Sequence, residues 1–301
     1  MLGNLPISDP YRKELLKGGS LAGTYLYQEN VHSPKVVRKE ICLENNREYG
    51  YQRWYSQMKR LQRYEVLFPG LFPSFLGCGL YKDNKTAFFD IEFLETAVNC
   101  YDYLAATKSS KKVEHVLKNI IAEMNKIHSI KMKSSVSSID VYIEEEIYKK
   151  LRDCLLDDEF RRFYKFDTIQ INGSIVKSLS SSLEEYTALG RKLYKNPEEC
   201  YTHGNITLEN MMYSEEEDRI YFIDPYEENI IDNSYNEYSQ ILQSSNSHYE
   251  IYNDSVPRRK DNSVDSNITV PFGISYFNNK FTEYLDEVLS SEEKQMVTFF
   301  E

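Results

Sequence analysis

Tyr201-Thr202-His203-Gly204-Asn205-Ile206-Thr207-Leu208-Glu209-Asn210 is followed, a short way on, by Tyr221-Phe222-Ile223-Asp224. Asn210-Met211-Met212-Tyr213 and Ile220-Tyr221-Phe222-Ile223 are short apolar runs of strand character, and the acidic turn Glu215-Glu216-Glu217-Asp218 joins them. A hairpin made from these runs brings the Asn210 amide and the Asp224 carboxylate together. One amide oxygen and one carboxylate form a hard-oxygen pair suited to Mg²⁺. Phosphoryl transfer needs few further parts: a lysine to neutralise phosphate, and a group that orients the attacking hydroxyl. Asn205, in the loop ahead of the hairpin, is a candidate for the second.

Working upstream, Gly18-Gly19-Ser20-Leu21-Ala22-Gly23 reads as a turn leading into the strand Thr24-Tyr25-Leu26-Tyr27. Val36-Val37-Arg38-Lys39-Glu40-Ile41 is its hairpin partner. From about Asn46 to Tyr64 the period becomes helical, with Tyr51, Trp54, Met58 and Leu61 on one face. Phe75-Leu76-Gly77 and Thr86 to Leu94 read as two more strands. Residues 111–130 form a helix whose stripe of Val113, Val116, Leu117, Ile120, Ile121, Met124 and Ile127 is core. Residues 141–195 read as mainly helical, with a turn at Asn172-Gly173. Residues 252–268 read as a polar irregular loop, and one last helix covers roughly 275–300. A strand-rich first third and a helical remainder give an α+β chain with two lobes, 1–95 and 96–301.

Composition narrows the function. With 36 Lys+Arg against 47 Asp+Glu, the net charge of −11 disfavours nucleic acid and anionic membrane as partners. Cys42, Cys78, Cys100, Cys154 and Cys200 are scattered and show no CxxC pair, which points to a reducing cytoplasm and away from a disulfide framework or zinc. The first residues have no apolar core segment of a signal peptide, and no stretch approaches the length of a membrane span.

The HGNxxxxN…ID pattern of His203, Gly204, Asn205, Asn210, Ile223 and Asp224 resembles the HGDxxxxN…ID signature of the aminoglycoside phosphotransferase and choline kinase group of small-molecule kinases. The resemblance covers about residues 16 to 245. It implies a protein-kinase-like bilobal fold that binds ATP, or another nucleoside triphosphate, together with Mg²⁺. Asn205 then falls at the catalytic-base position, and Asn210 and Asp224 are the metal ligands. Gly19 and Ser20 lie in a phosphate-covering turn, and Lys39 is the ATP lysine. Glu48, at the start of the next helix, is its partner, with Gln52 a weaker alternative. Asp90-Ile91-Glu92-Phe93-Leu94 is the hinge, where the Glu92 and Leu94 backbone meets adenine. Glu237-Tyr238-Ser239 sits where the group has a helix start after its metal aspartate. Further runs, Ile171-Asn172-Gly173, Ile223-Asp224-Pro225 and Gln243-Ser244-Ser245, are similar to phosphotransferase-like domains of bacterial surface polysaccharide biosynthesis, which implies a sugar, sugar phosphate or polyol acceptor.

The departure at Asn205 bears on activity. An amide orients a hydroxyl but takes no proton as a carboxylate does, and a general base contributes ~10²–10⁴-fold. Three readings stay open: an Asp→Asn change introduced to trap substrates, a naturally inert nucleotide-binding module that regulates a partner enzyme, or a base supplied by another carboxylate. Completeness of the Asn210 and Asp224 pair favours the first. The run Glu144-Glu145-Glu146 reads as a helix face, and as a contact for a cationic, choline- or aminoglycoside-like acceptor in the alternative. His203 shapes its loop, and His128, at a helix end, is a packing or capping residue.

Overall fold

The computed structural model describes residues 3–4, 11–16, 22–44, 49–81, 85–132, 138–195, 198–226, 229–266 and 268–301. The fold is α+β, a small, mostly antiparallel sheet with helices. Two compact units are present: Met1–Val98 with Asn210–Glu228, and Asn99–Glu209 with Asn229–Glu301. The hairpin bearing Asn210 and Asp224 thus belongs with the first hundred residues, although all of Asn99–Glu209 intervenes in the chain.

The first unit is built on six strands in the order Gly3–Asn4, Phe75–Leu80, Thr86–Glu92, Val36–Cys42, Gly23–Gln28 and Arg12–Leu15. Neighbours are antiparallel except Gly3–Asn4, which runs parallel to Phe75–Leu80. The register sets Lys39 between Thr24 and Phe89. Strand side chains alternate in direction, so neighbouring Arg38 and Lys39 reach different partners. Arg38 makes a two-pronged ion pair with Asp90, both contacts at 2.7 Å, and lies over the Tyr27 and Phe88 rings. On the Lys39 face, helix Tyr49–Leu67 buries Trp54, Met58 and Leu61, and the Trp54 ring sits 5.8 Å from Phe89. The helical period expected there is met.

In the second unit, helix Ser110–His128 buries Val113, Val116, Leu117, Ile120, Met124 and Ile127, six of the seven residues of the expected stripe, while Ile121 is only half-buried. Helix Phe272–Val288 packs against it and against helix Cys100–Ala106. A separate core gathers Ile139, Ile143, Tyr194, Ile231, Met296, Phe299 and Phe300 beneath the C-terminal helix. Among the described residues no helix is long and apolar enough to cross a membrane.

Three local expectations are corrected. The turn at Asn172-Gly173 is present between two helices, but it joins the strands Thr168–Ile171 and Ser174–Lys177 where helix was expected to flank it. Both turn residues have positive φ, +48° and +84°, which matches the Asn-Gly two-residue hairpin turn. The polar stretch near 260 is likewise a hairpin, Arg258–Lys260 with Ser263–Asp265, and its second strand runs parallel to Thr168–Ile171 to complete a four-stranded sheet. The single terminal helix is two, Phe272–Val288 and Ser291–Phe300, because Ser290 and Glu293 form a reciprocal capping box.

Where helices Phe272–Val288 and Cys100–Ala106 meet, a Cβ at Gly273 would fall 1.9 Å from the Leu104 carbonyl oxygen. That oxygen is backbone and cannot swing aside. Gly273→Ala should therefore destabilise the fold by the roughly 1–3 kcal/mol typical of overpacking, read as a lower urea midpoint at unchanged m-value.

Candidate functional site

In the first unit, Lys39 Nζ is paired with Asp224 Oδ1. Side-chain exposure is 7% for Lys39 and 24% for Asp224, so the contact is largely withdrawn from water. Of the two cations on this strand, Arg38 is committed to Asp90 and Lys39 to the aspartate of the hairpin. The strands of that hairpin are Met211–Ser214 and Arg219–Phe222, in the register Met211 opposite Phe222. One rung further, the Ile223 N–H donates to the Asn210 carbonyl at 2.9 Å. Asp224 is the next residue, so the expected convergence of positions 210 and 224 is met at the backbone. The hairpin is seated in its unit by the Phe222 N–H, which donates to Leu71 O at 2.9 Å, and by a hydroxyl contact of 2.8 Å between Thr96 and Ser214.

Asp224 has φ +58°. Left-handed backbone is uncommon outside glycine, and a short polar side chain is among the few that tolerate it. Residues held this way cluster at functional sites. Asp224 and Asn210 are neighbours at the backbone, and their side chains are of oxygen-ligand type. This fits Mg²⁺, which usually takes one or two carboxylates and fills the remainder of its octahedron with phosphate oxygens and water. Among the described residues there is no group of three or more His, Cys, Asp or Glu that could hold a metal.

Gly19, Ser20 and Glu48 lie outside the described residues. Gln52 is exposed. Glu92 closes its strand; its N–H donates to Ser74 O at 2.9 Å and its exposed carboxylate accepts from the Ser74 hydroxyl at 3.0 Å. The Leu94 carbonyl accepts from Ala97 N–H at 3.3 Å. Two of the backbone groups assigned to adenine are thus engaged within the protein.

Asn205 lies in the second unit, on a loop clamped by helix Ser234–Ser245. Glu237 accepts from the His203 and Gly204 amides at 3.0 and 2.7 Å. Gln240 accepts from the Ile206 amide at 2.8 Å and donates to the Gly204 carbonyl at 3.1 Å. The Ser244 hydroxyl accepts from the Leu208 amide at 2.9 Å. Residues 237, 240 and 244 recur at helical spacing, so one face of one helix fixes the loop. His203 is fully buried, and its Nδ1 accepts from the Asn205 N–H at 3.2 Å. The histidine therefore sets the backbone that presents Asn205, itself exposed.

Sequence reasoning placed Glu237 at a helix start and read His128 as a packing or capping residue at a helix end, without pairing the two. The His128 ring is buried with Nε2 3.3 Å from the Glu237 carboxylate, so it is a partner of the clamp and not merely a helix cap. Burial alone would push the Glu237 carboxyl up. The hydrogen bond and charge of His128, the charge of His203 and the Gly204 amide outweigh it and hold the group below its usual range. The available signal was a buried-face Glu, in a helix start, downstream of a loop rich in unsatisfied amides.

The acidic triplet is already occupied. In a π-helical stretch, Ile143–Lys149, Glu144 meets Arg152 at 2.8 Å, Glu145 meets Lys149 at 2.5 Å, and Glu146 meets Lys150. Compared with known proteins, the chain matches no family model and no curated protein.

A carboxylate with a depressed folded-state value stabilises the fold at pH above its unfolded value and loses that contribution as pH falls through the folded one. Wild-type stability should accordingly decline on acidification below the ordinary carboxylate range. Glu237→Gln should remove about 1.5–3 kcal/mol at neutral pH, as for hydrogen bonds to a charged group, and flatten that acid limb in denaturant titrations.

Proposed function

We propose that the chain is a nucleoside-triphosphate-dependent phosphotransferase of the protein-kinase-like bilobal plan, acting on a hydroxyl of a small polar acceptor. The observation that carries this reading is the Lys39–Asp224 ion pair, which joins positions 185 residues apart beside the Asn210 rung. An aspartate held in left-handed backbone against a buried lysine is the kind of strained arrangement that clusters at functional sites. ATP and Mg²⁺, when bound, supply the electrophilic phosphoryl group and spread its charge. Asp224 and Asn210 would hold the metal, and Lys39 would meet phosphate oxygens. Asn205 would orient the acceptor hydroxyl through its amide without taking its proton.

A sugar, sugar phosphate or polyol is the preferred acceptor class, as a role in surface polysaccharide synthesis would require. Glu144, Glu145 and Glu146 each face a lysine or arginine at the exposed surface, and a choline- or aminoglycoside-like acceptor is the alternative. A cytoplasmic setting, where nucleotide and Mg²⁺ are supplied, belongs to the same proposal. The amide at 205 favours a second reading, an inert nucleotide-binding module that regulates a partner enzyme.

Asn205→Asp separates them. In the first reading, phosphoryl transfer from ATP across a panel of sugars and polyols should rise by roughly 10²–10⁴ over wild type. In the second, both proteins bind nucleotide and neither turns it over. Silence across the panel with no nucleotide binding would overturn both.

A further inference from the structure

The second unit carries a small sheet with two very different edges. Its four strands run in the order Ser174–Lys177, Thr168–Ile171, Ser263–Asp265 and Arg258–Lys260. Among the described residues, none from 150 to 177 or from 251 to 272 is buried. One edge is guarded by three consecutive exposed cations, Arg258, Arg259 and Lys260, a common defence against strand pairing. The opposite edge, Ser174-Ile175-Val176-Lys177, has neither proline nor bulge, and its one charge, Lys177, lies 3.2 Å from Glu185. Ile175 is 76% exposed and Val176 39%.

The backbone of that open edge is complementary to its own copy. The two-residue turn makes Ile171 and Ser174 a hydrogen-bonded pair, and antiparallel pairs alternate, so Ile169 and Val176 form the next one. The Ser178 N–H, which donates to Asp167 O at 3.0 Å, keeps this phase. Ile175 and Lys177 are the intervening positions, and their N–H and C=O groups aim out of the sheet. A twofold axis through Val176, normal to the sheet, sets Ile175 of each copy opposite Lys177 of the other. Every outward N–H and C=O of both residues then finds a partner. Val176 meets its symmetry mate, and the row continues to Ile169 on either side, all apolar. On the other face Ile175 lies against the aliphatic stem of Lys177.

We infer that the chain associates with a second copy of itself by isologous antiparallel pairing of the edge strand Ser174–Lys177, which fuses two sheets into one. The contact is small, so the dimer is a concentration-dependent one. It is independent of the phosphotransferase reading.

Analytical ultracentrifugation of the full chain over a range of concentrations reads the association directly. Wild type should pass from monomer to dimer and stop there. Ile175→Pro removes an outward N–H that the sheet itself does not use, and should leave the melting temperature near that of wild type. It should weaken the dimer by roughly five- to a hundredfold, as expected for two hydrogen bonds deleted across the axis. Val176→Cys gives an independent reading. Its Cα would stand about 4.5 Å from its mate, within disulfide reach, so mild oxidation should yield a covalent dimer far more readily than in wild type or Ile175→Cys. If Ile175→Pro does not fold, the Val176→Cys cross-link decides. A wild type that stays monomeric at every concentration would overturn the inference. So would a dimer indifferent to Ile175→Pro and not captured by Val176→Cys, or growth beyond the dimer through the Arg258–Lys260 edge.

Discussion

A lysine carried into the interior of a sheet must find a negative partner or give up its charge, and much of the first unit is arranged around that constraint. Lys39 sits on the strand Val36–Cys42 between Thr24 and Phe89, with Trp54 packed on Phe89. Its own strand neighbour cannot help, since Arg38 faces the other way and is spent on Asp90. The carboxylate comes from a hairpin encoded far downstream, in the segment Asn210–Glu228 that joins a unit otherwise made from the first hundred residues. The backbone at Asp224 accepts a left-handed turn to complete the arrangement. An isolated charge in such a place would cost several kcal/mol; the pair converts that cost into a demand on geometry.

A second constraint of the same kind operates in the other unit. Loop 203–208 cannot satisfy its amides through regular secondary structure, and buried amides left unpaired are costly. Helix Ser234–Ser245 answers with Glu237, Gln240 and Ser244, each taking one or two of them. The buried Glu237 carboxylate is satisfied by the His203 and Gly204 amides and by the His128 ring. The exposed Asn205 thus rests on a rigid foundation, consistent with a loop built to present a side chain.

Much of this was legible from local pattern. The hairpin around 211–222, the Lys39 strand, the Trp54 helix and the stripe of helix Ser110–His128 all carry periodicity that survives burial. The misses have different causes. Asn172-Gly173 is a strong hairpin signal, but it stands amid helical sequence, and its strands are short and exposed, so alternation of burial gave no help. The pairing of Ser263 with Gln170 joins segments that nothing local connects. The break before Ser291 was readable from Ser290 and Glu293, had the capping pattern been weighed against the apolar period. The His128–Glu237 contact spans 109 residues, and no single-sequence pattern reports such a distance.

Four loop amides, those of His203, Gly204, Ile206 and Leu208, end on side chains of one helix face and not on backbone carbonyls. Their shielding from solvent deuterium is therefore borrowed. It lasts only while that helix stays docked, so these amides should exchange together, on the helix's own clock, as one cooperative unit instead of fraying one by one as surface loops do.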